Sequence, residues 1–202
     1  MGIRTGRKAA LAIMVGTALP LAGCISFGAK PPPSLLTLTA TAGPAVGQDQ
    51  NSASAKSITI EVPAAPQSVA TARVPVQATA TSIAYVPKAL WAEPPARLFA
   101  RLLSDTVAAR TGRVVLSSVQ AVGDPSAHLG GELRSFGLDA ATHQAVVTFD
   151  GSLVRVPGKS GVEKRRFEAR VPVATIDADS AGPALNDAAN QVAGQVADWV
   201  GR

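Results

Sequence analysis

The hydrophobic period of this chain switches three times, and the order of the switches constrains the fold more than any single motif. Alternation comes first: Ile58, Ile60 and Val62, then Val74, Val76 and Ala78, then Ile83 and Tyr85. An apolar side chain at every second residue marks a half-buried strand, and Pro63 closes the first of them. Over residues 94–110 the large apolar side chains are Leu98, Phe99, Leu102, Leu103 and Val107, the stripe of an amphipathic helix. Glu93, Pro94 and Pro95 suit its first turn. Arg110, Gly112 and Arg113 suit its end, where cations and a left-handed glycine are favoured.

Strand spacing returns at Val114, Val115 and Leu116, and Asp124-Pro125-Ser126 reads as a turn. Residues 129–136 read as a strand, with Gly130 and Gly131 marking a bulge. Residues 145–156 are the longest strand candidate, with Val147, Phe149, Gly151 and Leu153 on one face. Pro157-Gly158-Lys159-Ser160-Gly161 has the chemistry of a hairpin loop, and residues 166–173 return as its partner. Ser180 then reads as the cap of a second helix, with Leu185, Ala188, Val192, Val196, Trp199 and Val200 on one face. Strands, helix, strands, helix predicts an α+β fold: a mainly antiparallel sheet covered on one face by two helices. No internal repeat is visible.

The chain has one cysteine, Cys24, so no disulfide framework can hold this layer together and stability must come from packing and hydrogen bonds. Cys24 closes the stretch Leu21-Ala22-Gly23-Cys24. Arg4, Arg7 and Lys8 form a positive start, and residues 9–21 are nearly all apolar. That order is the grammar of a secretory signal peptide. The apolar run is shorter than the roughly 18–20 residues a membrane span needs. An ordinary cleaved signal would leave a free thiol in an oxidising compartment. A cysteine at this place is similar to the lipobox of a bacterial lipoprotein, in which the thiol receives diacylglycerol, and this reading is preferred.

Residues 1–23 are thus expected to be a leader and 24–56 a lipidated tether. Residues 57–202 form the folded body, about 145 residues and enough for one core. In the tether, Pro31-Pro32-Pro33 favours an extended spacer. Leu36-Thr37-Leu38-Thr39 alternates and could pair as an edge strand. Residues 42–55 hold almost no large apolar group and read as a loop.

The precursor carries a formal charge of +5, but three of its nineteen basic residues lie in the leader, and the mature chain stands at only +2. Nucleic-acid binding wants a basic stripe with interleaved aromatics. Here Lys164-Arg165-Arg166 sits beside Glu163 and Glu168, and aromatics are 4% of the chain. No nucleic-acid partner is expected.

Catalytic patterns are missing from the sequence. His128 and His143 are its only imidazoles, one after a turn and one in a connection. There is no Gly-x-Ser-x-Gly elbow and no His-Glu-x-x-His or cysteine pair for a metal. Gly158-Lys159-Ser160 is the tail of a phosphate loop in a hairpin turn. Asp177 and Asp179 are explained by a helix dipole. No catalytic or metal-binding residue is expected, and the chain reads as a binder, not an enzyme. Tyr85, Leu90 and Trp91 precede the first helix. Trp91 either staples that helix to the core, the preferred reading, or joins Tyr85 and Leu90 in a partner-facing patch.

The lipobox, the extended Leu35-Leu36-Thr37-Leu38, the strand Ile58-Thr59-Ile60-Glu61-Val62-Pro63 and the element Leu90-Trp91-Ala92-Glu93-Pro94 together resemble the ABC-type transport auxiliary lipoprotein (PqiC-like) family. The likeness runs from Ser34 to the C-terminus. Family members usually carry Tyr in the first extended segment, where this chain has Ser34 and Leu35. The resemblance implies a noncatalytic accessory of a lipid transport system, working with an MCE-domain protein and an ABC permease and ATPase. It implies no cofactor beyond covalent diacylglycerol and N-acyl chains on Cys24, and a homo-oligomeric ring of domains. Ile25 and Ser26 follow the cysteine where inner-membrane retention would want Asp, so it implies the periplasm-facing side of the outer membrane. A lipid-binding chaperone with an apolar cavity between sheet and helices is the alternative.

Overall fold

Among the described residues, seven strands and two helices follow the order that the periodicity predicts. A computed structural model describes residues 34–117, 125–156 and 161–202. The strands are β1 (Ser57–Ile60), β2 (Arg73–Thr79), β3 (Ser82–Leu90), β4 (Val114–Leu116), β5 (Ala127–Asp139), β6 (Gln144–Arg155) and β7 (Val162–Pro172). The helices are α1 (Pro95–Thr111), between β3 and β4, and α2 (Ala178–Val200), at the end. The fold is α+β as expected, with the helices over one face of a single sheet.

That sheet is mixed where a mainly antiparallel one was expected. The long ladders β5–β6 and β6–β7 and the β2–β3 hairpin are antiparallel. The other edge of β5 is lined by two short parallel neighbours in series. β1 pairs near Leu129 and β2 near Leu138, with an isolated bridge from Ala64 to Glu132 between them. β4 adds outside β1, again parallel. One run of chain thus accompanies β5 twice, interrupted by the 65–72 loop. Parallel pairing of this kind is set by long-range register, which alternation within a strand does not encode.

The inner face is built around aromatic rings. Trp91 meets Phe136 edge-on at 5.4 Å between centroids, and Phe136 meets Phe99 at 6.5 Å. Phe99 meets Phe149 at 5.5 Å, Phe149 stacks with Phe167 at 6.4 Å, and Phe167 meets Trp199 at 5.4 Å. These six of the chain's eight aromatic side chains run from β3 through β5, β6 and β7 and tie in both helices. Leu129, Leu133, Leu153, Leu103 and Leu185 fill around them, each 1% exposed or less. Edge-on rings at these distances add roughly 0.5–1.5 kcal/mol per pair beyond area burial.

Two opposed glycines make room for the rings. Gly131 on β5 faces Gly151 on β6. A Cβ on Gly131 would lie 2.1 Å from the Asp150 carbonyl oxygen and 2.9 Å from the Phe149 ring, and its φ of +148° already lies where side chains are disfavoured. A Cβ on Gly151 would lie 3.1 Å from Trp199. The bulge expected at Gly130 and Gly131 is absent there, where the register is continuous; the irregularity in β5 lies between Leu133 and Ser135.

The helix ends follow capping chemistry. α1 starts on Pro95 and ends on Gly112 at φ +68°, whose N–H donates to the Ala108 carbonyl. α2 is capped by Asp177, not by Ser180: the Ser180 N–H donates to Asp177 Oδ1 at 2.8 Å. A cap accepts from the N–H two or three residues on, so Ser180 is the donor to the cap rather than the cap. The Thr175 hydroxyl also donates to Asp177, and these bonds, that of Thr175 foremost, hold its carboxyl below the usual range. The other end of α2 has no basic residue of its own. Arg155 of β6 donates to the Trp199 and Val200 carbonyls at 3.0 and 3.1 Å, and Arg113 reaches Val200 at 3.4 Å. Two cations at a helix C-terminus complement its dipole. Burial first, and Arg155 second, lower the pKa of Arg113.

Phe149→Ala should lower stability by about 3–5 kcal/mol, read as a fall in the urea midpoint at unchanged slope. A loss below about 1 kcal/mol would mean that the aromatic run does not carry the core.

Candidate functional site

The sheet face away from the helices carries the chemistry. Its central lateral row is Tyr85, Pro75, Gly137, Val146 and Arg170, read across β3, β2, β5, β6 and β7. Gly137 stands where a Cβ would come within 2.4 Å of the Pro75 carbonyl oxygen. With no side chain there, and with the 65–72 loop leaving the edge of β5, a hollow of about 210 Å³ opens on this face. Val69, Pro75, Ile83 and Val146 give it apolar walls, and Arg134, Arg170 and Asp139 its charges.

Beside the hollow runs a lattice of ion pairs. Arg166 grips Asp150 with two bonds, 2.6 and 2.8 Å. Arg134 lies 3.5 Å from Asp150 and 3.6 Å from Glu132. Arg170 bonds Glu168 at 2.7 Å and lies 4.0 Å from Asp139, while the Thr148 hydroxyl donates to Glu168 at 3.0 Å. Asp139 closes the β5–β6 turn by accepting the Ala141 and Thr142 N–H groups at 2.9 and 3.0 Å.

These contacts all favour the charged forms. Asp150 is pushed down chiefly by its bond from Arg166, Glu168 by its bond from Arg170, and Asp139 by the Thr142 N–H. Arg166 is pushed up by Asp150. General acid–base catalysis wants a group that titrates near the working pH. Every resolved shift in this lattice moves the other way and keeps these groups charged. Among the described residues, no group of three or more His, Cys, Asp or Glu could hold a metal ion.

The residues singled out from the sequence do not form one surface. Trp91 is 2% exposed, deep in the inner face, and its indole N–H has no partner among the described groups. Its burial agrees with the preferred reading, a ring packed back on the start of the helix, and removes it from the alternative, a partner-facing patch with Tyr85 and Leu90. Tyr85 lies on the opposite face, half-buried, with the Arg73 guanidinium 4.0 Å over its ring. Leu90 is half-buried, and its carbonyl accepts the Leu36 N–H at 2.7 Å. His128 is the second residue of β5, and His143 closes the β5–β6 turn at φ +51°. The two imidazoles stand at opposite ends of that hairpin and share no site. Cys24, with Leu21, Ala22 and Gly23, lies outside the described residues, as do Asp124 and most of the 157–161 loop.

Two features escaped sequence reading. The Asp150–Arg166 pair is set by the β6–β7 register, which counting back from the 157–161 loop approaches only to within a residue or two. Asn186 and Asn190, one helical turn apart on α2, hold the backbone of Thr39 and Thr41. Two asparagines on one helix face, where they are poor helix formers, were the available signal.

The fold and this face define a class: a two-layer α+β domain with a lattice of ion pairs on the sheet face away from its helices. The chain belongs to the ABC-type transport auxiliary lipoprotein component family, whose model matches residues 36–197. Its fold is shared with a protein from Xanthomonas campestris that carries the DUF330 family model, at a TM-score of 0.65 and 18% identity over 83% of this chain and 94% of that one. An uncharacterized protein follows at 0.62 and 16%, over 72% of this chain and 92% of its own. The PelC dodecamer from Paraburkholderia phytofirmans superposes at 0.43 and 13% over 77% and 92%, too loose a likeness to build on. No curated protein matches the chain. Among the described residues, no helix is long and apolar enough to cross a membrane.

The lattice fixes the sign of a pH effect. Carboxyls whose folded pKa is depressed contribute stability above their unfolded value, about 4, and lose it as pH falls through the lower folded value. The melting temperature should hold from pH 7 to 5 and fall below pH ~4. Asp150→Asn should melt lower at pH 7 and close the gap with the wild type at pH ~2. A gap that widens on acidification would contradict the assignment.

Proposed function

We propose that this protein is a noncatalytic, lipid-anchored subunit of an ABC transport system that moves phospholipid or other lipids between two membranes. Cys24, freed of the leader by cleavage after Gly23, would carry diacylglycerol and an N-acyl chain. Ile25 and Ser26 behind it favour delivery to the outer membrane, facing the periplasm. The observation that carries the reading is the family match over residues 36–197, downstream of the Leu21-Ala22-Gly23-Cys24 motif. An MCE-domain protein with its permease and ATPase is the proposed partner set, and a ring of sister domains the proposed assembly. The paired charges and the hollow on the helix-free face support a docking role, since charges arranged across a contact give register and specificity.

The rival reading, a lipid carrier, needs an apolar cavity between sheet and helices. That space is filled instead by Phe99, Phe136, Phe149 and Phe167, each at most 1% exposed.

Stable anchoring takes more than one acyl chain, and losing all of them abolishes it. Cys24→Ser should therefore leave the outer-membrane fraction, and a strain carrying it should lose the function that the wild-type gene restores. A Cys24→Ser protein that still sediments with membranes and still complements would overturn the anchor. Lipid co-purifying in stoichiometric amount with the domain would favour the carrier.

A further inference from the structure

Residues 36–41 lie across the body as a strap. The Leu36 N–H donates to the Leu90 carbonyl at 2.7 Å, and the Ala92 N–H donates to the Leu36 carbonyl at 2.9 Å. Leu36, Leu38 and Ala40 face inward and are only half-buried, while Thr37, Thr39 and Thr41 are exposed. Two asparagines of α2 hold the other side. Asn186 Oδ1 accepts the Thr39 N–H at 2.8 Å, and Asn190 Oδ1 accepts the Thr41 N–H at 2.8 Å. The Asn190 amide also donates to the Thr39 carbonyl at 2.9 Å. Gly182 leaves room for Leu36, whose Cδ2 would lie 2.9 Å from a Cβ at that position.

From there to Ala55 the hydrogen bonds are local. Gln48 bonds back to Ala45, and Ser54 and Ala55 bond back to Asn51. Among the described residues, the six strap residues are thus the polar fastening between Ser34 and Ala55, and the Lys56 carbonyl, which accepts the Val114 N–H at 3.0 Å, is the next attachment.

We propose that this strap is a reversible latch that sets how far the domain can stand from its lipid anchor. The proposal rests on the anchor reading above. With the strap docked, twelve residues separate Cys24 from Leu36, a reach of at most about 42 Å at about 3.5 Å per extended residue. With it released, thirty-two residues separate Cys24 from Lys56, and the limit rises to about 110 Å. The attachment has the properties of an element that opens locally: no fully buried side chain, exposed hydrogen bonds, and no strand beyond a single bridge. A partner that binds the released form better would draw the domain outward, by as much as its preference for that form allows.

The test uses the purified lipidated protein and the double variant Asn186→Ala with Asn190→Ala. Alanine favours helix at both positions, so α2 should stay folded, and Asp187→Ala on the same turn serves as control. Hydrogen exchange at the Thr39 and Thr41 amides should be slow in the wild type and in the control, and at least about tenfold faster in the double variant. Each protein is then placed on phosphatidylethanolamine–phosphatidylglycerol vesicles carrying an acceptor dye in the headgroups, with a donor on Thr81→Cys. Energy transfer should fall at least twofold in the double variant. Equal transfer in wild type and double variant, or unprotected strap amides in the wild type, would overturn the latch. A wild-type protein that exchanges slowly at the strap yet washes off the vesicles would overturn the anchor, and with it the tether role.

Discussion

The fold rests on one continuous run of aromatic contacts across the inner face of the sheet. Aromatics are only 4% of the chain, yet six of them touch in sequence from Trp91 to Trp199 and link β3, β5, β6 and β7 to both helices. With a single cysteine, Cys24, no disulfide within the chain substitutes for this packing. The backbone is bent to suit it. Gly131 and Gly151 face each other where the rings crowd, and the irregularity of β5 falls immediately after. The large rings also separate the faces, because a residue committed to the run is withdrawn from the surface. Trp91 is the case in point.

The other face is thereby left to charge. Asp150 is paired across strands with Arg166 and Glu168 along β7 with Arg170, which keeps both ionised, while Gly137 and the interrupted parallel edge of β5 open a small hollow beside them. Exposed pairs of this type contribute little to stability, about 0–1 kcal/mol each, and their value lies in orientation and specificity. A surface of matched charges suits a subunit that docks, in keeping with a family of transport auxiliaries. The strap adds a second theme, since the segment that joins the expected anchor to the body is held by two asparagines rather than built into the core.

Periodicity in the sequence reached far into this architecture. β2 spans the residues that alternation marks, α1 lies within one residue of its expected bounds, and Val147, Phe149, Gly151 and Leu153, sorted onto one face of β6, are buried together. The failures have physical causes. β3 runs on to Leu90 through Pro87 and through Lys88 at φ +62°, where alternation breaks although the strand continues. The parallel neighbours of β5 come from chain segments some 60–70 residues earlier, and pairing at that range leaves no local trace. Both Asp177 and Ser180 are good caps, and only the geometry chooses between them. The alternation of Leu36 and Leu38 was visible, but the asparagines that hold the strap lie nearly 150 residues on. The candidate site was the least legible part, because it depends on which side chains three strands bring level.

In the proposed reading, one sulfur atom, that of Cys24, joins the domain to a membrane. The intact mass of the mature protein extracted from outer membranes tests that claim most directly. A chain beginning at Cys24, heavier than the unmodified polypeptide by a diacylglyceryl group and one further acyl chain, is the predicted result. A mature chain with a bare thiol, or one that still carries residues 1–23, would contradict it.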